Sequence, residues 1–241
     1  MSTPVPRPAL QAIVFDFDGV IADSEPLHLR AFQAALAEQD VPLSADEYYS
    51  RYLGYDDVGM LQQLARDRQL PWDERHVTAL VARKGIRLQE LLRSGAVLFP
   101  GAGDFIRASA AAVPIAIASG AMRHEIEAII GGAGLHHLFT AIVAAGDTAE
   151  SKPSPAPYEL AFTHLRERTG LPLNPRRTVA IEDSRWGLAS ASGAGLRCVG
   201  VTSSYPADEL PGAELTVASL AELTLGMLDE LCASADAKGS H

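Results

Sequence analysis

Asp16 and Asp18 stand two residues apart, just after the apolar run Ala12-Ile13-Val14-Phe15. Further along, Ser119 closes one apolar run, Lys152 follows another, and the doublet Glu182-Asp183 closes a third. Four carboxylates in one crevice repel one another, and desolvation makes the crowding worse. A divalent cation removes that cost, and oxygen-only ligands with open positions suit Mg²⁺. A lysine and a hydroxyl beside such a cation form a clamp for a phosphoryl group.

These residues meet only if the chain folds so that the ends of its apolar runs converge. The runs cover residues 12–15, 113–118, 141–145, 178–181 and 196–201, the last ending at Thr202-Ser203-Ser204. Short apolar runs without polar alternation predict strands buried on both faces, as in a parallel sheet. Helical stretches at 121–131, 156–169 and 184–192 lie between them. Strands alternating with helices give right-handed β-α-β units and an α/β fold, a doubly wound, Rossmann-like, mostly parallel sheet. In such a sheet ligands bind beyond the carboxyl ends of the strands, where all of the residues above fall.

Residues 23–96 have a different texture. Leu29, Phe32 and Leu36 form a helical stripe, and Ser44-Ala45-Asp46-Glu47 matches a capping box. Val58, Leu61 and Ala65 repeat the helical spacing, and Val77, Leu80, Val81, Leu88 and Leu91 line a longer helix. No strand-like run interrupts them, which predicts an all-helical domain inserted after the first strand. The expected organisation is an α/β core of residues 1–22 and 97–233, a helical cap of 23–96 and a flexible tail of 234–241. Residues 98–103, with Pro100 and two glycines, read as the return linker; with 23–26 they are the expected hinges.

With 241 residues, 47% of them hydrophobic, the chain can bury a substantial core, which excludes intrinsic disorder and fibrous repeats. Thirty acids against twenty bases give a net charge of −10, the wrong sign for a counterion-displacing nucleic-acid binder. No apolar segment is long enough to span a bilayer, and the N-terminus lacks the basic-then-apolar order of a secretion signal. Cys198 and Cys232 make no disulfide or zinc framework, and Cys198 sits in an apolar run as a buried thiol would. The expectation is a cytoplasmic protein that binds a small phosphorylated metabolite and neither nucleic acid nor membrane. Its oligomeric state is left open, a monomer being compatible with the sequence.

Asp16-Phe17-Asp18-Gly19-Val20-Ile21, continued by Asp23-Ser24-Glu25, resembles the first motif of the haloacid-dehalogenase-like superfamily. Ser119, Lys152-Pro153 and Glu182-Asp183 resemble its second, third and fourth motifs in order, over roughly residues 11–223. The helical insertion resembles the family's small cap, and the whole is most similar to the branch of β-phosphoglucomutase and sugar-phosphate phosphatases. The resemblance implies that Asp16 is the nucleophile and forms an aspartyl-phosphate. It implies that Asp18 protonates the leaving alkoxide and later deprotonates water. It places Mg²⁺ among the Asp16 carboxylate, the Asp18 main-chain carbonyl and Asp183, with Glu182 acting directly or through water. Lys152 would neutralise the nucleophile. Ser119, with the N–H groups of Gly120 and Ala121 at a helix start, would hold phosphoryl oxygens.

Each motif residue has a plainer alternative when taken alone. Asp-x-Asp after a strand can be a pair of solvated loop acids, Ser119 a helix cap, and Lys152 a solvated side chain. Asp183 can cap the helix that begins near Ser184. The ordered set outweighs these separate readings. His28, Gly54 and Tyr55 are the candidates for substrate contact or hinge. The mutase branch has a histidine matching His28 that orients its acid/base aspartate, and Tyr55 could serve as a platform for a sugar ring. Lys84, on an otherwise apolar stripe, reads as a side chain snorkelling at a helix edge, or as one facing substrate.

Asp18 argues against dehalogenases, which lack the second aspartate, and against phosphonoacetaldehyde hydrolases, which replace it with a small residue. A mutase needs cationic anchors for a second phosphate. The loop Tyr52-Leu53-Gly54-Tyr55-Asp56-Asp57 carries two acids where the mutases place an arginine, and Gln89 stands where they place a later lysine. Hydrolysis of a monophosphate is therefore preferred over phosphoryl relocation, with a sugar phosphomutase as the alternative and a catalytically silent binding scaffold as the remote one. One departure from the family is Ala156, where many relatives carry an acid that braces the lysine.

Overall fold

The computed structural model describes residues 8–53, 55–93 and 97–238. They form two compact units: one holds the residues up to Asp23 and from 97 onward, the other those between.

The first unit is built on six strands: β1 (Ala12–Phe15), β2 (Ile115–Ala118), β3 (Ala141–Val143), β4 (Thr178–Glu182), β5 (Arg197–Val201) and β6 (Leu215–Val217). They pair in parallel in the order β3-β2-β1-β4-β5-β6. Registers such as Val14 with Ala116 and with Ala180 align the carboxyl ends of the central strands. The strand order reverses direction about β1, so the crevices on either side of it open at the switch point of the sheet.

Helices α5 (Ala102–Ala112), α6 (Arg123–Gly132), α7 (Ala156–Thr169), α8 (Arg185–Gly193) and α9 (Leu225–Lys238) complete this unit. Every residue of β1, β2 and β4 is buried, as uniformly apolar strands covered on both faces require. On one face Val14, Ala116 and Ala180 pack with Tyr158, Ala161 and Leu165 of α7 and Leu188 and Ala191 of α8. On the other, Phe15 meets Phe105 of α5 edge to face at 6.1 Å. This is the doubly wound α/β arrangement.

Five strands lie within or next to the predicted runs. β6 escapes the sequence pattern because it is three residues at the edge of the sheet, two of them solvent-accessible. Helix α5 and the full length of α9 also lie outside the expected helices. Residue 234 does not begin a tail: α9 runs through Lys238. The helix is anchored by buried Leu228 and Cys232 and by a 2.9 Å hydrogen bond from the Leu10 N–H to Asp229. Both thiols are buried and free, and burial pushes Cys198 up to about 12 and Cys232 up to about 11. Among the described residues no helix is long and apolar enough to cross a membrane.

The second unit consists of α1 (Glu25–Ala37), α2 (Ala45–Glu47) running into a π-helical turn (Tyr48–Tyr52), α3 (Asp57–Arg68) and α4 (Glu74–Arg93). The Ser44 hydroxyl accepts the Glu47 N–H at 3.1 Å, which is half of the predicted capping box. The Glu47 carboxylate turns instead to Arg68, at 2.5 Å. Leu29, Phe32 and Leu36 join Met60, Leu61, Leu64, Val77 and Leu80 in one core. Val58 is exposed, so the buried stripe of α3 runs through Met60 and Leu64 rather than Val58.

Candidate active site

Asp16 leaves the end of β1 with its N–H bonded to the Ile181 carbonyl at 2.9 Å, which sets it beside β4. Glu182 ends β4 and Asp183 follows it. Asp16, Glu182 and Asp183 each offer a carboxylate oxygen, all within 4.8 Å of one another, and all three side chains are buried. The carboxylate of Asp18 is not one of the three. Asp18 lies half-buried in the turn after β1, where its backbone bridges to Ala22.

Lys152 reaches the cluster from the loop between β3 and α7. Its Nζ lies 2.6 Å from Asp16 Oδ1 and 2.6 Å from Glu182 Oε1, and 5.1 Å from the ring centre of Tyr158. Ser190 pins the loop by donating to the Ser154 carbonyl at 2.5 Å. The brace that Ala156 cannot supply therefore comes from Glu182. Glu182 is wholly buried and fully engaged. Oε1 accepts from Lys152 and from the Tyr158 hydroxyl at 2.8 Å. Oε2 accepts the N–H groups of Asp183 and Ser184 and the Ser184 hydroxyl at 3.1–3.3 Å. Gly187 is required beside it, since a Cβ there would stand 1.8 Å from Glu182 Oε1.

Ser119 follows β2, is buried, and its N–H bonds the Val143 carbonyl at 2.9 Å. Its hydroxyl accepts the Ala121 N–H at 3.0 Å. Gly120 is exposed next to it. Neither Gly120 nor Ala121 begins a helix: Met122 is extended (φ −70°, ψ 140°), so α6 starts at Arg123. Ser119 is thus not a helix cap, and Asp183 is not one either, because Ser184 caps α8 by accepting the Gly187 N–H at 3.1 Å.

Two serines outside the four motifs complete the site. Ser204 donates to Asp183 Oδ2 and Ser203 donates to the Gly19 carbonyl. Both follow β5, where the sequence shows only the end of an apolar run.

Burial pushes the Asp16 carboxyl well above its ordinary value, Lys152 opposes the shift, and Glu182 and Asp183 add to it. Burial, with the charge of Glu182 adding to it, likewise brings Asp183 up to about 6, against Ser204 and Lys152. Burial on its own would lower Lys152, but Asp16 and Glu182 hold it above the usual lysine range. Three carboxylates against one ammonium leave excess negative charge in a dry pocket, and an oxygen-seeking divalent cation relieves it. The donor set fits such an ion.

His28 and Tyr55 belong to the helical unit, and Gly54 lies outside the described residues. His28 Nδ1 is 2.9 Å from Lys84 Nζ, which also binds both oxygens of Asp57 at 2.7 and 2.9 Å. Lys84 is 1% exposed and sits 4.8 Å over the Phe32 ring, so it does not snorkel to solvent. Asp57 supplies the countercharge that makes its burial tolerable. The Tyr55 side chain is half exposed.

A doubly wound, Rossmann-like parallel sheet with an acidic cluster and a bridging lysine at its switch point is the framework of a phosphoryl-transfer enzyme. The family model described as haloacid dehalogenase-like hydrolase matches residues 10–195, and the chain belongs to that family, among its phosphatases. It is 34% identical to protein CbbY of Rhodobacter capsulatus over 92% of this chain and 99% of that protein. It is 31% identical to hexitol phosphatase B of Escherichia coli over 93% and 97% of the two chains. A crystal structure of a CbbY mutant from Rhodobacter sphaeroides in complex with xylulose-(1,5)bisphosphate superposes with a TM-score of 0.70. It is 31% identical, with 89% of this chain and 96% of that one covered. Use of Mg²⁺ is general to the family, and the buried acidic triad can bind a metal.

Proposed function

We propose that this protein is a Mg²⁺-dependent phosphatase that hydrolyses a small phosphomonoester, a sugar or polyol phosphate, through an aspartyl-phosphate on Asp16. The observation that carries this reading is the Lys152 ammonium held 2.6 Å from Asp16 Oδ1 inside the buried acidic cluster. The names of the hexitol phosphatase relative and of the CbbY complex support the substrate class.

Asp16 Oδ attacks phosphorus in line, and the new O–P bond forms as the ester P–O bond breaks. Asp18 gives its proton to the departing alkoxide. It then takes a proton from water, whose oxygen attacks phosphorus and displaces the Asp16 carboxylate, releasing inorganic phosphate. Lys152 balances charge on Asp16 and on the transferring oxygens, and Ser119 with Gly120 binds those oxygens. Asp16, the Asp18 main-chain carbonyl and Asp183, with Glu182 at the edge of the set, are the residues to hold Mg²⁺. When bound, the ion supplies positive charge to the phosphoryl oxygens.

Within the loop of residues 52–57, Asp56 caps α3 through the Gly59 N–H at 2.6 Å and Asp57 pairs with Lys84. Neither acid is placed to anchor a second phosphate, which supports hydrolysis over a mutase reaction. Purified protein with Mg²⁺ should release phosphate from a panel of sugar and polyol monophosphates, and Asp16→Asn should abolish release. Mg²⁺-independent turnover, an undiminished Asp16→Asn variant, or rapid isomerisation of a sugar phosphate without phosphate release would overturn the proposal.

A further inference from the structure

Tyr158 stands in the first turn of α7 with no exposed surface. A buried phenol needs an acceptor, and many find a backbone carbonyl. This one donates at 2.8 Å to Glu182 Oε1, the same oxygen that Lys152 Nζ approaches at 2.6 Å. Lys152 therefore has two carboxylate acceptors, Asp16 and Glu182, and the Tyr158 ring covers a third side of the ammonium at 5.1 Å. The two carboxylates compete for the lysine. A hydroxyl donated to Oε1 spends part of that oxygen's accepting power and tips the contest toward Asp16. The other Glu182 oxygen cannot take over, since it already accepts three donors.

We propose that Tyr158 is a positioning residue, which with Glu182 forms a buried strut that keeps the Lys152 ammonium on Asp16. This rests on the phosphatase reading only for what the lysine then does, namely to stabilise the phosphoryl group in transfer.

Tyr158→Phe removes one hydroxyl and keeps the ring. With Mg²⁺ and the best phosphomonoester of the panel, it should lower kcat by about tenfold, the effect of one charge-assisted hydrogen bond. KM should stay within about twofold, because the lost interaction strengthens only during transfer. The Mg²⁺ dissociation constant, measured by calorimetry, should be unchanged. A crystal structure of the variant should show Lys152 Nζ drawn toward Glu182 and out of hydrogen-bond range of Asp16. Should Tyr158→Phe fail to fold, Tyr158→Met, which fills the buried site without a donor to Glu182, should give the same drop in kcat with KM held.

A variant with wild-type kcat and an intact Lys152–Asp16 contact overturns the strut. A loss that appears in KM, or only as a smaller folded fraction, overturns it as well. If the wild-type protein hydrolyses no phosphomonoester, the phosphatase reading falls by itself. The crystallographic Lys152–Asp16 distance in the variant then decides the strut.

Discussion

The Ser204 hydroxyl on the loop after β5 donates to Asp183 Oδ2, tying the second carboxylate of the fourth motif to a residue outside all four motifs. A carboxylate that must bind a cation gains orientation from such a partner, and partners of this type are worth about 10–100-fold in metal affinity. Ser204→Ala should therefore raise the Mg²⁺ concentration needed for half-maximal activity by about tenfold. It should leave the rate at saturating Mg²⁺ close to wild type. Titrating activity against Mg²⁺ measures both, and an unchanged half-point would show that Asp183 holds its place without the serine.

The same loop reaches Gly19 through Ser203, and Gly19 sits where no other residue fits. Its φ is +78°, and a Cβ there would stand 1.8 Å from Asp183 Oδ2. Gly19→Ala combines a left-handed backbone penalty with a direct clash on a carboxylate of the buried acidic cluster. The expected result is loss of more than about 2 kcal/mol of stability in denaturant titration and near-complete loss of Mg²⁺-dependent turnover. A folded, active variant would mean that the turn after β1 can open.

The sheet and most of the acidic cluster are legible in the sequence because both rest on local patterns. Uniformly apolar runs such as Ile115–Ala118 signal strands buried on both faces, and the abrupt polar residue that ends each run marks the carboxyl edge. What escapes depends on contacts between residues far apart in the chain. Tyr158 reads as one more apolar residue of a helix face until its hydroxyl is seen against Glu182, 24 residues away. Lys84 reads as a side chain snorkelling at a helix edge, or as one facing substrate, until Asp57 and His28 are found beside it. Ser203 and Ser204 sit at the end of an evident run, yet serine after a strand is common enough to carry no signal by itself. Helix α9 hides because its alanine-rich end resembles a frayed terminus, and its anchors, Leu228 and Cys232, act through burial.

Burial brings the Asp183 carboxyl from 3.8 up to about 6, so between those values the folded, metal-free protein binds more protons than the unfolded chain. That contribution to stability is fully present below 3.8 and is lost as the pH rises through about 6. Raised Asp16 acts in the same direction. Mg²⁺ binds only the ionised carboxylates, so its effect has the opposite slope. The gain in Tm on adding Mg²⁺ should be several degrees at about pH 7.5 and should shrink toward zero at about pH 5. Thermal unfolding with and without Mg²⁺ at the two pH values checks this, and equal gains at both would show that the buried acids do not hold the ion.

The helical unit should respond to acid through His28. Its Nδ1 faces the Lys84 ammonium at 2.9 Å, so the ring must be neutral to accept that hydrogen bond. Burial and the charge of Lys84 lower the imidazole from 6.5 to about 4, with Asp57 pulling weakly the other way. Here the unfolded chain binds the extra proton. Stability from this residue is therefore complete above 6.5 and falls as the pH drops toward about 4. The loss approaches about 3 kcal/mol at the acid end, since a tenfold change in proton affinity is worth about 1.36 kcal/mol. Asp183 gains stability over part of the same range, so the wild-type profile alone mixes the two. Subtracting it from that of His28→Gln, whose amide oxygen can accept from Lys84 without titrating, isolates the histidine. The difference in unfolding free energy, followed by denaturant titration in steps between about pH 7 and about pH 4, should move in favour of the glutamine variant as the pH falls. Parallel profiles would mean that His28 charges in the folded state as freely as in water, and that its contact with Lys84 is not maintained in solution.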